Sequence, residues 1–335
     1  MQVQIDIWGN EIENDEMLTY EKKIEQAKDA LVLAADISRK YYREPLIITY
    51  SGGKDSDVML DIAVNCLKKE DIEVVNSHTT VDAPQTVRHI EKTFKRLQGL
   101  GIATRYVNRY PVEKTMWDLI VKKQMPPTRL MRYCCNELKE SSTPNRICAI
   151  GVREDESSNR KNRNLFSRGG KERKQWSLDH AHEVFHEAEE NDEVFDCMMV
   201  TLAKKNEDLV CNPIYKFLED DVWRYIKENH IEVNPLYEMG YRRVGCILCP
   251  LGGMRSMEKE AHDFPKYKQM YINAFERMMR KRKESGKDDV TGEEGYHVWE
   301  TGEDVYNWWV YGKERIKGQV TITEWLKEKE RKEES

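Results

Sequence analysis

The sequence predicts an α/β protein with a doubly wound, mostly parallel sheet, and two observations carry that expectation. Short apolar runs of strand length, LIITY at 46–50, IEVVNSH at 72–78 and ICAIGV at 147–152, alternate with segments whose apolar residues recur at helical spacing. Each intervening segment is long enough for a crossover helix, so the strands are expected to run parallel with helices covering both faces of the sheet.

Taken in order, the opening QVQIDIWGNEI alternates and turns at Gly9-Asn10, which signals a short hairpin. Leu18 to Tyr42 follows as a long amphipathic helix, with Ile24, Ala27, Leu31, Ala34, Ala35 and Ile37 near helical spacing. After the strand at 46–50 come a helix from Asp57 to Lys69, the strand at 72–78, and a helix from Pro84 to Leu100 whose proline suits a first turn. ATRYVN is the third strand, Val112 to Gln124 a further helix, and 147–152 the fourth strand. Beyond Val152 the pattern lapses into a long polar stretch, expected as an inserted lid over 153–208. DLVCNPI and the helix EDDVWRYIKENH then restore order, and from Ser256 the chain reads as helical and rich in packing aromatics. The expected organisation is an N-terminal hairpin and helix over 1–44, a nucleotide-binding domain over 45–255, and a helical appendage over 256–335.

The chain has 335 residues, 54 basic and 60 acidic, for a net charge of -6. A protein that holds duplex DNA alone usually carries a basic surplus, which this one lacks overall. Lys161–Lys174 and Arg277–Lys287 are local basic segments, open to reading as polyanion contacts or as solvated faces. No apolar stretch approaches the roughly 20 residues of a spanning helix, and the first residues lack a basic region followed by an apolar one. Membrane insertion and secretion are not expected, and eight cysteines then argue for a reducing, cytoplasmic setting in which clustered thiols hold metal or do redox work.

The sharpest motif is Ser51-Gly52-Gly53-Lys54-Asp55-Ser56, which leaves the strand LIITY and enters a helix at once. Glycines let backbone amides approach an anion, and the loop with the helix N-terminus forms a positive nest for phosphate. Ser51 and Ser56 add hydroxyls and Lys54 a point charge. The spacing matches neither the GxxxxGK[ST] phosphate loop nor the GxGxxG dinucleotide fingerprint.

SGGKDS after a first strand resembles the signature of the PP-loop ATP pyrophosphatases. HTTVDAPQT (78–86), RYCCNELK (132–139), GVREDESSNR (151–160) and the stretch from Asn212 to Pro250 resemble one branch, the phosphoadenosine-phosphosulfate (PAPS) reductase family. That branch includes sulfonucleotide reductases, sulfate adenylyltransferase small subunits and the ATP pyrophosphatases of DNA phosphorothioation systems. The resemblance implies that the loop from Ser51 to Ser56 binds the phosphates or sulfate of an adenylyl nucleotide, with Lys54 and Ser56 in the chemistry. It implies that Thr80 and Asp82 lie at the sheet's ligand crevice, where Asp82 would reach Mg²⁺ or ribose; Asp82 also reads as a plain turn residue before Pro84. Gly151, Arg153 and Arg160 would close over the phosphates, a task suited to the planar fork of arginine, while a solvated basic turn is the plainer reading.

Cys134-Cys135 and the CxxC of Cys246 and Cys249 supply four thiols from two separated segments, the ligand count of a [4Fe-4S] cluster or a structural zinc. A tandem CC is unusual for zinc, and in the resembled family this pattern accompanies a [4Fe-4S] cluster. Cys66, Cys148, Cys197 and Cys211 read as small buried hydrophobes. The resembled reductases use a cysteine in an ECGxH-type motif near the C-terminus, and residues 250–335 hold no cysteine. A thiolate nucleophile would therefore be a cluster ligand, an upstream cysteine or a partner's. His182-Glu183-Val184-Phe185-His186, with His180 nearby, matches the zinc-protease HExxH, but it lies in the polar insertion without a recognisable third ligand.

The resemblance implies an enzyme for which ATP is a substrate, with Mg²⁺ and the loop holding a pyrophosphate leaving group while an acceptor becomes adenylylated for sulfur transfer. Its partners would be a nucleic-acid acceptor, reached through partner subunits, and a sulfur donor such as a cysteine desulfurase or a thiol reductant. The alternatives are a reductase that releases sulfite from adenylyl sulfate (APS) or PAPS, and a noncatalytic nucleotide-binding iron-sulfur subunit.

Overall fold

The computed structural model describes residues 4–5, 11–12, 18–139, 146–156, 165–168, 175–176, 209–286 and 299–312. The chain forms two compact units. One comprises Met1–His78, Pro84–Tyr110 and Ser141–Gly245; the other comprises Thr79–Ala83, Pro111–Glu140 and Cys246–Ser335. The described strands are β1 (Gln4–Ile5), β2 (Glu11–Ile12), β3 (Leu46–Thr49), β4 (Ile72–Ser77), β5 (Ala103–Val107), β6 (Ile147–Ala149), β7 (Phe166–Arg168), β8 (Gln175–Trp176) and β9 (Leu209–Cys211). The described helices are α1 (Tyr20–Ile37), α2 (Lys54–Cys66), α3 (Pro84–Gly99), α4 (Met116–Lys123), α5 (Tyr133–Leu138), α6 (Glu219–Glu228), α7 (Met254–Asp263), α8 (Pro265–Glu284) and α9 (Gly302–Tyr311).

In the first unit, β1 and β2 pair antiparallel, as the opening pattern implies. The main sheet has the order β5-β4-β3-β6-β9-β7-β8. Its first five strands are parallel, and β7 and β8 add antiparallel pairs at one edge. The polar stretch after β6 therefore supplies two short strands, β8 at the edge and β7 inside it, that its composition did not suggest. Strand order reverses between β3 and β6, which leaves a crevice at their carboxyl ends where ligands of such sheets bind.

The central strand is apolar on both faces. Ile47 packs with Val75 and Cys148 on one side, while Leu46 and Ile48 join Val74, Ile147 and Ala149 in the larger core on the other. Against that larger core α1 lays Ala27, Ala30, Leu31 and Ala34, all fully buried. Thr19 caps its first turn by accepting the Lys22 N–H, and the helix widens into a π turn over Ser38–Tyr42 before Arg43 ends it at φ 54°. A half-hidden ion pair, Lys23 Nζ to Asp221 Oδ2 at 2.7 Å, ties α1 to α6.

The second unit is helical. Its first helix begins at Met116 rather than Val112, because Thr115 Oγ1 accepts the Asp118 N–H and sets the N-terminus there. The apolar pattern after Ser256 is not one helix either: Phe264 leaves helical geometry, and Pro265 opens α8. Trp117 and Trp309 sit 4.9 and 4.8 Å from Tyr271, centroid to centroid, so the aromatics of this region pack with one another as composition implied. The final charged segment, 313–335, lies outside the described residues. Among the described residues no helix is long and apolar enough to cross a membrane.

Ile48 is fully buried in the strand that carries the SGGKDS loop. Ile48→Ala should lower stability by about 2–5 kcal/mol, read from the denaturant unfolding midpoint of the full chain.

Candidate active site

The loop between β3 and α2 is locked from several directions. Gly52 has φ 72°, and a Cβ there would stand 2.9 Å from Ile90 Cγ1, so both its backbone and its surroundings require glycine. Asn234, fully buried, donates through Nδ2 to the Gly52 carbonyl and to Thr86 Oγ1, each at 3.0 Å. Ser56 Oγ accepts the Ser51 and Gly53 N–H groups at 3.3 and 3.2 Å and donates to the Gly53 carbonyl at 2.8 Å. The Ser56 hydroxyl therefore holds the loop's own backbone, and its capping of Gly53 starts α2 at Lys54, earlier than the apolar pattern indicates. Gly151, just past β6, lies against the same turn: a Cβ would come 3.1 Å from the Asp55 carbonyl and the Ser56 nitrogen.

Two cations are buried at this loop. Lys54 and Arg153 side chains are 5% and 3% exposed, and Asp55 and Glu219 neutralise them. Lys54 Nζ lies 3.3 Å from Asp55 Oδ2 and 3.4 Å from Glu219 Oε2. Arg153 donates through Nε to Asp55 Oδ1 at 2.5 Å and through Nη2 to Glu219 Oε2 at 2.6 Å. Burial opposes ionisation of Glu219, but Lys54, the Trp223 indole N–H and Arg153 outweigh it and hold the carboxyl below its ordinary range. Tyr237 closes another side: its hydroxyl accepts the Lys54 backbone N–H at 2.8 Å, and its ring meets Trp223 edge-on at 5.3 Å.

Behind the loop, the Tyr50 hydroxyl donates to Asp57 Oδ1 at 2.6 Å, with His89 Nε2 and Thr93 Oγ1 at 3.0 and 3.1 Å. Burial, then the Asp57 carboxylate, pushes the Tyr50 phenol well above its usual range, so it stays a donor.

Thr80, Asp82 and the four motif cysteines belong to the second unit. Thr80 has φ 65° and accepts the Met116 N–H at 3.0 Å. Asp82 Oδ2 accepts the Thr79 N–H at 2.9 Å, and the Asp82 backbone forms an antiparallel bridge with Cys246. Cys134 and Cys135 lie in the short helix α5. Between Cys246 and Cys249, Leu248 is fully buried at φ 58°, and its N–H is held by Glu260, which also accepts Ser256 Oγ at 2.8 Å. The hydrogen bond within the pair, then burial, raises Cys134; the same hydrogen bond, with Arg132 and Lys139 acting against burial, lowers Cys135. Lys139 is raised, first by Cys246, then by Asp82, Cys135 and Cys249, and the charges of Cys135, Cys246 and Cys249 all reach Cys134. Among the described residues no three His, Cys, Asp or Glu side chains have the arrangement of a metal site, and Cys246 Sγ donates to Thr79 Oγ1 at 3.5 Å. In number and chemistry the four thiols fit the ligand set of a [4Fe-4S] cluster.

Arg160, the HExxH of 182–186, His180 and Cys197 lie outside the described residues. Cys148 and Cys211 are buried as expected, whereas Cys66 near the end of α2 is only half-buried, and that partial burial pushes its thiol up to about 11. Residue-type reasoning did not single out Asn234, Tyr237, Glu219 or Glu260. The first three fall in the stretch 212–250, whose pattern was visible but whose individual roles depend on partners far away in the chain.

A family model described as the phosphoadenosine phosphosulfate reductase domain matches residues 45–252, more than half of the chain. The chain belongs to that family. Proteins similar to it include an uncharacterized protein of Methanocaldococcus jannaschii, 26% identical over 242 residues, covering 70% of this chain and 42% of that protein. Adenosine 5'-phosphosulfate reductase 1 of Bacillus subtilis is 22% identical over 220 residues, 62% of this chain and 75% of the reductase. The chain thus spans less than half of the Methanocaldococcus relative and three quarters of the Bacillus one. Similar solved structures include the U34-tRNA thiolase NcsA from Methanococcus maripaludis with its [4Fe-4S] cluster, at 14% identity and TM-score 0.38, covering 90% of this chain and 96% of that one.

Asn234→Ala would leave the Gly52 carbonyl and the Thr86 hydroxyl without this donor. The expected loss is about 1–3 kcal/mol, measured by chemical unfolding of the full chain.

Proposed function

We propose that this family member binds ATP on the Ser51–Ser56 loop as its Mg²⁺ complex and cleaves it between the α and β phosphates, activating an acceptor for sulfur transfer. The observation that carries the reading is the pair of buried cations, Lys54 and Arg153, at a glycine-bearing loop and helix N-terminus where strand order reverses. In this reading an acceptor oxygen bonds to the α-phosphorus as the bond to the α,β-bridging oxygen breaks, and pyrophosphate leaves with the electron pair. The acceptor's proton passes to solvent. Sulfur at the sulfide level, delivered as hydrosulfide, then bonds to the acceptor atom that bears the activated oxygen as the bond to that oxygen breaks; AMP departs with the oxygen and its electron pair, and the hydrosulfide proton passes to solvent.

Lys54 and Arg153 would carry the charge of the departing pyrophosphate, and the locked loop would hold it in line, the main contributions a protein makes to such transfers. Gly151 would border the nucleotide, and a nucleic acid would be the acceptor. Cys134, Cys135, Cys246 and Cys249 would hold a [4Fe-4S] cluster, which when bound supplies an iron site for handling sulfur. The likeness to the Bacillus reductase favours a second reading, reduction of an adenylyl sulfonucleotide with release of sulfite.

Anaerobic incubation with ATP, Mg²⁺ and candidate nucleic acids, followed by nucleotide and phosphate analysis, separates these readings. AMP with pyrophosphate is the expected outcome; sulfite from APS or PAPS with a thiol donor, and no cleavage of ATP, would replace it with the reductase. Lys54→Ala should lower the rate of AMP formation about 10²–10³-fold in protein that still unfolds cooperatively, and an unchanged rate would remove Lys54 from the mechanism. Protein purified anaerobically should contain about four iron and four sulfide per chain, and Cys246→Ser should lose most of both. Zinc without sulfide would end the cluster reading.

A further inference from the structure

The ion pairs at the loop contain an asymmetry that the proposed reaction does not require. Lys54 and Arg153 are almost wholly buried, yet one carboxylate oxygen that serves both, Glu219 Oε2, belongs to a side chain 46% exposed. A buried cation needs a permanent counter-charge, whereas a carboxylate at the surface exchanges protein partners for water at small cost. Asp55 already supplies one permanent partner, reaching Arg153 Nε and Lys54 Nζ from within the loop. Arg153 Nη1 is buried and makes no hydrogen bond among the described residues; Asp155 Oδ2 lies 3.5 Å from it, on a side chain 47% exposed. The two cations therefore face Asp55, Glu219 and Asp155, and among the described residues the cluster carries no surplus positive charge for a phosphate to meet.

We propose that Glu219 is an internal stand-in for a ligand phosphate oxygen: it bridges Lys54 and Arg153 until an entering anion displaces it, and so sets how tightly the site holds polyphosphate. The inference rests on the reading of the loop as a phosphate site and adds the residue that limits its affinity. Trp223 fixes the resting position, donating its indole N–H to Glu219 Oε1 at 3.0 Å, so the carboxylate competes from a defined place. An incoming phosphate takes over the hydrogen bond from Arg153 Nη2 and the charge of Lys54 Nζ, while Glu219 turns to water on its exposed side. Asp55, at 15% exposure, remains with Arg153.

The sign of one substitution tests this. Inorganic pyrophosphate, and separately ATP with Mg²⁺, are titrated calorimetrically into the full chain and into Glu219→Gln, which keeps the side chain's size and removes its charge. The expected result is binding about tenfold tighter in the variant for both probes, equivalent to about 1.4 kcal/mol. Glu219→Asp, which retracts the carboxylate by one methylene, should tighten binding by a smaller factor and gives the same sign if Glu219→Gln does not fold. Asp155→Asn, which removes only a long and exposed ion pair, should change affinity less than either. Equal or weaker binding in the folded Glu219 variants, with wild type binding both probes, overturns the stand-in role and leaves the phosphate loop intact. Failure of wild type and variants alike to bind either probe, or binding by Lys54→Ala equal to wild type, overturns the phosphate-site reading itself.

Discussion

Two positive side chains buried at the ends of parallel strands are the constraint around which the first unit is arranged. Lys54 enters with the loop after β3 and Arg153 with the chain after β6, the two strands that flank the reversal of sheet order. Neither cation is tolerable there without anions, because desolvating a charge costs several kcal/mol unless partners replace its water. Asp55, one residue from Lys54, and Glu219, at the start of α6, provide that replacement. The position of α6 is thereby coupled to the loop, and its other anchors, Lys23 on α1 to Asp221 and Tyr225 to Asp61 on α2, hold it from the same face.

The loop's rigidity has a separate source. Backbone groups that would point to solvent in an ordinary turn are taken by the Ser56 hydroxyl, by Asn234 and by Tyr237, so the loop is shaped before any ligand arrives. Preorganisation of this kind means that the loop's shape is held by its own side-chain partners, and the cost of ordering it is met during folding. The Tyr50, Asp57, His89 and Thr93 network beneath continues the same principle, since its members pair with one another inside the core.

In the second unit the unusual backbone lies between two cysteines, Cys246 and Cys249. Leu248 adopts a left-handed conformation that a branched side chain disfavours, and Glu260 with the buried Leu248 side chain holds it there. Burial raises the Glu260 carboxyl, while Ser256 and the Leu248 N–H oppose that rise. The unit is assembled from three separate stretches of chain, so Cys246, distant from Cys134 in sequence, contributes to raising the Cys134 thiol.

The amino-acid sequence by itself determined the alternation of strands and helices, the placing of SGGKDS between the first strand of the parallel sheet and its helix, and the two cysteine pairs. Those features are local: apolar periodicity, a glycine-bearing turn and thiol spacing need no distant partner to be visible. The start of α4 was displaced because Thr115 capping outweighs the apolar pattern before it, and the break at Phe264 was hidden within a continuous amphipathic run. Only the tertiary structure decided that Asn234 clamps Gly52, that Tyr237 takes the Lys54 N–H, and that Glu219 bridges two buried cations. Each of these depends on which side chains approach after burial, and the strength of a charge or a hydrogen bond is set by that approach and the water it excludes.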